Sequence, residues 1–190
     1  MGIFDAFRKE EVAGTKVLVC QLGTGFDDEM KSDLRVYKRF YQTASSAVFT
    51  TVAELRSAIG QKHDVLHLFC NVAPDGAIAD TAGGRITGAD LLKAAVDADV
   101  KLLWIGSDNL QESYDAGFKA KGLKINVVLT LRRLGSNTSL FLDNVLSKMQ
   151  AGQPFSKAWD VASKPEGKSV QPDVPHTISS LGRGGVILKP

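Results

Sequence analysis

The sequence predicts one α/β domain, a three-layer α/β/α sandwich around a mostly parallel central sheet, and three observations carry that prediction. The chain has 190 residues, a length that suits a single domain. Short apolar runs alternate with amphipathic stretches, and the run Asp64-Val-Leu-His-Leu-Phe-Cys70 is apolar nearly throughout, as a strand covered on both faces must be. Five such runs separated by helical stretches favour parallel strands, because each crossover needs a helix that also buries a face of the sheet.

Lys16-Val-Leu-Val-Cys-Gln-Leu22 reads as the first strand, ended by a tight turn at Gly23-Thr-Gly25. Met30, Leu34, Tyr37 and Tyr41 then recur at helical spacing behind an acidic entry, Asp27-Asp28, that suits a helix N-terminus. Val48-Phe-Thr50 is a brief second strand, and Thr51 caps a helix carrying Val52, Leu55 and Ile59 up to Gly60. The third strand is 64–70. A long connection, 71–85, follows with Pro74, Asp75-Gly76 and Gly83-Gly84, and long loops at this end of a sheet often bind ligands.

Thr87 caps the next helix, through Leu91, Leu92, Ala95 and Val96, and Val100–Gly106 is the fourth strand. A helical stretch at 109–120 leads to the fifth strand, 124–130. Ser136, Asn137 and Thr138 are capping types before an apolar face of Leu140, Phe141, Val145, Leu146 and Met149, and a short helix surrounds Trp159. From 163 to 180 the chain is polar and broken by three prolines, and Gly184–Leu188 reads as a closing strand. The expected organisation is an N-terminal extension, 1–14, followed by one domain, 15–190.

Composition excludes several classes. With 44% hydrophobic and 23% charged residues the chain is neither disordered nor a coiled coil. Its net charge of +2 creates no field for nucleic acid or anionic lipid, so neither partner is expected. No apolar run approaches the ~20 residues that span a bilayer, and the charged start lacks a signal peptide's apolar stretch. Cys20 and Cys70 lie in apolar runs without metal-binding spacing, so the expectation is a reducing, cytoplasmic setting, with no metal and no cofactor.

Ligands of doubly wound sheets gather at the carboxyl ends of the central strands, which directs attention to Asn71 after the third strand and Ser107-Asp108 after the fourth. Gly23-Thr-Gly25 fails the dinucleotide pattern, because Asp28 stands where a third glycine belongs and two carboxylates repel pyrophosphate. His67 reads as a core histidine before a catalytic one, and Cys70 as a small buried thiol before a nucleophile. Ser107 is either a nucleophile or, as the residue types favour, the cap of the next helix. The basic cluster Lys119, Lys121, Lys124, Arg132 and Arg133 reads as a solvated face.

The succession Val65-Leu-His-Leu-Phe-Cys-Asn71, Leu102-Leu-Trp-Ile-Gly-Ser-Asp108, Asn126–Leu131 and Phe141–Ala158 resembles the caspase-like peptidase domain of the CHAT type. That resemblance, over about 15–188, implies a caspase-like sandwich whose catalytic His follows the third strand and whose catalytic Cys follows the fourth. His67 matches the first histidine of the family's H-x-x-x-H-G pattern, but the catalytic second histidine falls on Asn71 and the cysteine on Ser107. An amide cannot take up a proton near neutral pH, and a hydroxyl without a base is a weak nucleophile. The expectation is an inactive domain that binds a protein or peptide, with a homodimer through Val186–Leu188 or the fifth strand as a further expectation by analogy. The alternatives are a residual hydrolase using Cys70 or Ser107 with His67, and a flavodoxin-like or Rossmann-like ligand binder.

Overall fold

The computed structural model describes residues 9–107, 117–118, 122–131, 138–163 and 176–190. Its elements in order are β1 (Glu10–Val12), β2 (Val17–Leu22), α1 (Asp27–Phe40), β3 (Ser45–Phe49), α2 (Val52–Ile59), β4 (Val65–Phe69), β5 (Ala77–Ala79), β6 (Arg85–Thr87), α3 (Gly88–Asp97), β7 (Leu102–Ser107), β8 (Asn126–Leu131), α4 (Thr138–Gln150), α5 (Phe155–Ser163), β9 (His176–Leu181) and β10 (Val186–Leu188). The central sheet has the order β3-β2-β4-β7-β8-β9, parallel except for the last pair. The mostly parallel, doubly covered sheet that the strand and helix alternation predicted is therefore present.

Local signals place the helices. In α1 the first turn holds Asp27, Asp28 and Glu29 and the last Lys38 and Arg39, each complementing the helix dipole. Thr51 and Glu54 close a reciprocal capping box on α2, and Thr87 accepts the Asp90 N–H at the start of α3. Gly23 and Gly25, with φ of +85° and +99°, make the turn into α1 in a conformation that side chains resist. On α4 the buried stripe is Phe141, Leu142, Val145, Leu146 and Met149; Leu140 lies off it and is exposed. The helical stretch expected at 109–120 lies, apart from 117–118, outside the described residues.

Four expectations need correction. The sheet has six strands, because β9 forms within the polar 163–180 stretch. An edge strand is paired along one side only and need not be apolar throughout. Second, β10 does not join the central sheet: it pairs in parallel with β1, and all three of its residues are buried. β8 lies between β7 and β9 and so offers no edge for strand addition; the edges of the central sheet are β3 and β9, and β10 is paired along one side, with β1. Third, residues 10–12 are thereby part of the fold and not an extension.

Fourth, the 71–85 connection is not an open loop. Strands β5 and β6 form an antiparallel hairpin, Val72 bridges to Ile78, and Val72, Ile78 and Ile86 sink into the core. The Asp80 carboxylate accepts the N–H groups of Val52, Ala82 and Gly84, tying the hairpin to the first turn of α2. These hydrogen bonds hold that carboxyl below its ordinary range.

Strand alternation sorts the core into two layers. Leu18, Cys20, Leu66, Leu68, Cys70, Leu103 and Ile105 meet α2, α3 and the hairpin. Val17, Val19, Val65, Phe69, Leu102, Trp104 and Val128 meet α1, α4, α5 and β10.

Candidate functional site

The carboxyl ends of β4 and β7 adjoin, as the topology requires: Phe69 pairs with Gly106, and the Cys70 N–H donates to the Gly106 carbonyl at 3.2 Å. Asn71 follows at the surface, exposed, while Cys70 is fully buried. Ser107 closes β7 opposite Leu131, and Asp108 lies outside the described residues. The structure thus brings Asn71, Cys70 and the backbone of Ser107 to one end of the sheet.

It does not bring His67 there. His67 and Cys70 are three positions apart along an extended chain, so the period of two sends them to opposite faces. Cys70 lies in the aliphatic layer beside Val72 and Ile78. The His67 ring stacks on Phe69 at 4.6 Å and Trp104 at 5.6 Å and meets the Tyr37 ring edge-on at 5.7 Å. Gly106 makes this stack possible, since a side chain there would come within 2.8 Å of the Phe69 ring. The residual hydrolase built on Cys70 and His67 therefore has its two groups separated by the sheet itself.

Around His67 the structure assembles a polar cluster that the sequence reading passed over. Asp33 of α1, 2% exposed, approaches the His67 Nε2 at 3.5 Å through Oδ2 and accepts the Ser139 hydroxyl of α4 through Oδ1. Ser139 is also 2.8 Å from the Ser32 hydroxyl. Among the described residues neither His67 nitrogen has a hydrogen-bond partner, nor does the buried Tyr37 hydroxyl. The available signal was Asp33 itself: it sits three residues after Met30 and four before Tyr37, a carboxyl on the apolar stripe of α1.

Burial sets the charge of this cluster. It pushes the Asp33 carboxyl up to about 7, against the pull of the Ser139 hydrogen bond, and the His67 imidazole down to about 3. Between those values the pair is a carboxylic acid beside a neutral imidazole, not an ion pair. Burial also raises both thiols far above their ordinary range, with each thiol inside the aliphatic layer. Neither is a thiolate near neutral pH, so neither is an activated nucleophile.

One alignment across the sheet was not foreseen. Ser107 pairs with Leu131, and Leu131 pairs with His176 on β9, so one row of three strands carries a hydroxyl residue and an imidazole residue. Two strand spacings, about 10 Å, separate their backbones. Among the described residues no group of three or more His, Cys, Asp or Glu side chains could hold a metal ion, and no helix is long and apolar enough to cross a membrane. Of the predicted basic cluster only Lys124 is described, and it is exposed. No protein-family model matches the sequence, and no curated protein matches it significantly.

Proposed function

We propose that the chain is a catalytically inactive caspase-like domain of the CHAT type that serves as a protein-binding or assembly module. The observation that carries this reading is the separation of His67 from the strand ends: the imidazole is 1% exposed on one face, and Cys70 is 0% exposed on the other. At the exposed position after β4 stands Asn71, whose amide neither accepts nor delivers a proton near neutral pH. Removing the nucleophile and base of such a dyad costs orders of magnitude in rate, while the fold, held by the two apolar layers, does not depend on them. A partner strand would add at β3 or β9, the two edges of the sheet.

The test is hydrolysis of a panel of peptides and esters by the native chain and by Cys70→Ala and Ser107→Ala. No turnover above the variants is expected. Robust turnover lost in either variant would overturn the reading.

A further inference from the structure

The opposite end of the sheet, where the strands begin, holds a cavity of about 720 Å³. Its walls are the segment entering β2, with Gly14 and Lys16; the end of α2 with the following turn, including Arg56, Lys62, His63 and Asp64; and the end of α3 with Asp97 and Asp99. Ile59, Ala94 and Ala98 supply apolar lining. The volume falls within the ordinary range for small-molecule sites.

The charges in this cavity are not balanced. Each acidic group on the α3 side is already engaged: Asp97 holds Lys93 at 2.6 Å, and Asp99 holds Lys101 and, at 2.8 Å, Arg183. Arg183 also grips Glu10 on β1, which fixes Asp99 in place. On the α2 side Lys16, Arg56 and Lys62 are exposed, and none forms an ion pair among the described residues. Among the described residues Asp64 is the one carboxylate lining the cavity that no cation holds, and it accepts the Lys16 backbone N–H at 2.8 Å. The carboxyl ends of α2 and α3 oppose the three cations with about half a negative charge each. A small positive excess therefore remains.

A second observation concerns the backbone. Among the described residues the two non-glycine positions with left-handed φ are Lys62, at 58°, and Asp99, at 59°, and both line this cavity. Each follows the carboxyl end of a helix, α2 or α3, where a left-handed residue turns the chain out of the helix and here forms part of the cavity wall. Burial holds the His63 imidazole below its ordinary value, with Asp64 pulling upward and Lys16 pushing downward.

We propose that this cavity binds a small organic oxyanion, a phosphate ester or carboxylate, held by Lys16, Arg56 and Lys62 and flanked by His63. The modest excess of charge fits a mono- or dianion, and the apolar lining fits a short carbon skeleton. The site is at the end of the sheet away from Asn71 and Ser107, so it stands whichever way the hydrolysis panel turns out.

The experiment titrates the isotopically labelled full chain with inorganic phosphate, pyrophosphate and citrate, using sodium chloride at matched ionic strength as the control and following amide and imidazole resonances by NMR. The expected result is saturable shifts confined to 13–16, 56–64 and 94–99, and a His63 titration midpoint that rises when the anion is present. Which probe binds tighter distinguishes a phosphate ligand from a carboxylate one. Arg56→Ala/Lys62→Ala should weaken binding at least tenfold, and Asp97→Asn should tighten it. Non-saturating shifts with every probe, or unchanged affinity in a folded double variant, would overturn the proposal.

Discussion

Beneath α2 and α3 the central sheet is aliphatic and holds both thiols, whereas beneath α1, α4 and α5 it carries an aromatic stack enclosing an imidazole and a carboxyl. The two faces are made by alternate residues of the same strands. His67 and Cys70 illustrate what that difference teaches: closeness in sequence puts two reactive groups on one strand, and the parity of the strand decides whether they meet. Here it keeps them apart. The thiol gains an inert setting, and the imidazole gains a carboxyl partner instead of a nucleophile.

The sharpest way to break this comparison is to remove a large, fully buried side chain from each face. Trp104 packs on His67 and Phe141 and donates to the Thr130 hydroxyl, so Trp104→Ala should cost about 3–5 kcal/mol in urea unfolding. Leu68→Ala, on the aliphatic face, should cost about 2–5 kcal/mol. Losses below 1 kcal/mol at both would mean that neither layer is packed as described.

The polar cluster supplies the next contrast, through pH. Asp33 has its folded-state value raised to about 7, so its stabilisation is present below the unfolded value near 4 and is lost as pH rises to 7. His67 has its folded-state value lowered to about 3, so its stabilisation is present above about 6.5 and is lost as pH falls toward 3. Between pH 4 and 6.5 the two slopes oppose each other. Stability of Asp33→Asn should therefore rise with pH across that window, and stability of His67→Gln should fall. Two variants with the same slope as the native chain would show that neither group contributes the slope assigned to it. Either single substitution should also cost about 1–3 kcal/mol for the partner it leaves buried, whereas paired apolar replacements should be close to neutral.

The smallest expected effect is on the thiols. Neither Cys20 nor Cys70 should react with a thiol reagent in the native state, and both should react at the rate of unfolding; fast labelling of Cys70 in folded protein would contradict its burial.

Much of this architecture was legible in the residues. The β2 and β4 runs, the Thr51 and Thr87 caps and the apolar stripe of α4 are local signals, and local periodicity with capping chemistry reports them directly. The hairpin at 77–87, the strand β9 and the pairing of β10 with β1 were not, because each is stabilised by partners distant in sequence: the hairpin by the core beneath it and by the Val52 N–H of α2 donating to its Asp80, β9 by β8, and β10 by β1. The candidate site divides in the same way. Asn71 and Ser107 were found from their positions after apolar runs. Asp33 and Ser139 were missed because nothing near them in the chain marks what they approach.

By itself the sequence determined the capped and amphipathic helices, the apolar strands of the parallel sheet and the absence of an imidazole directly after β4, since these follow from side-chain period and residue type. Only the tertiary structure decided which face each group occupies, which carboxyl meets His67, and where a charged cavity opens. Those outcomes depend on the register of strands and the docking of helices far apart in the chain, and buried environments, not residue types alone, set the protonation of the groups they enclose.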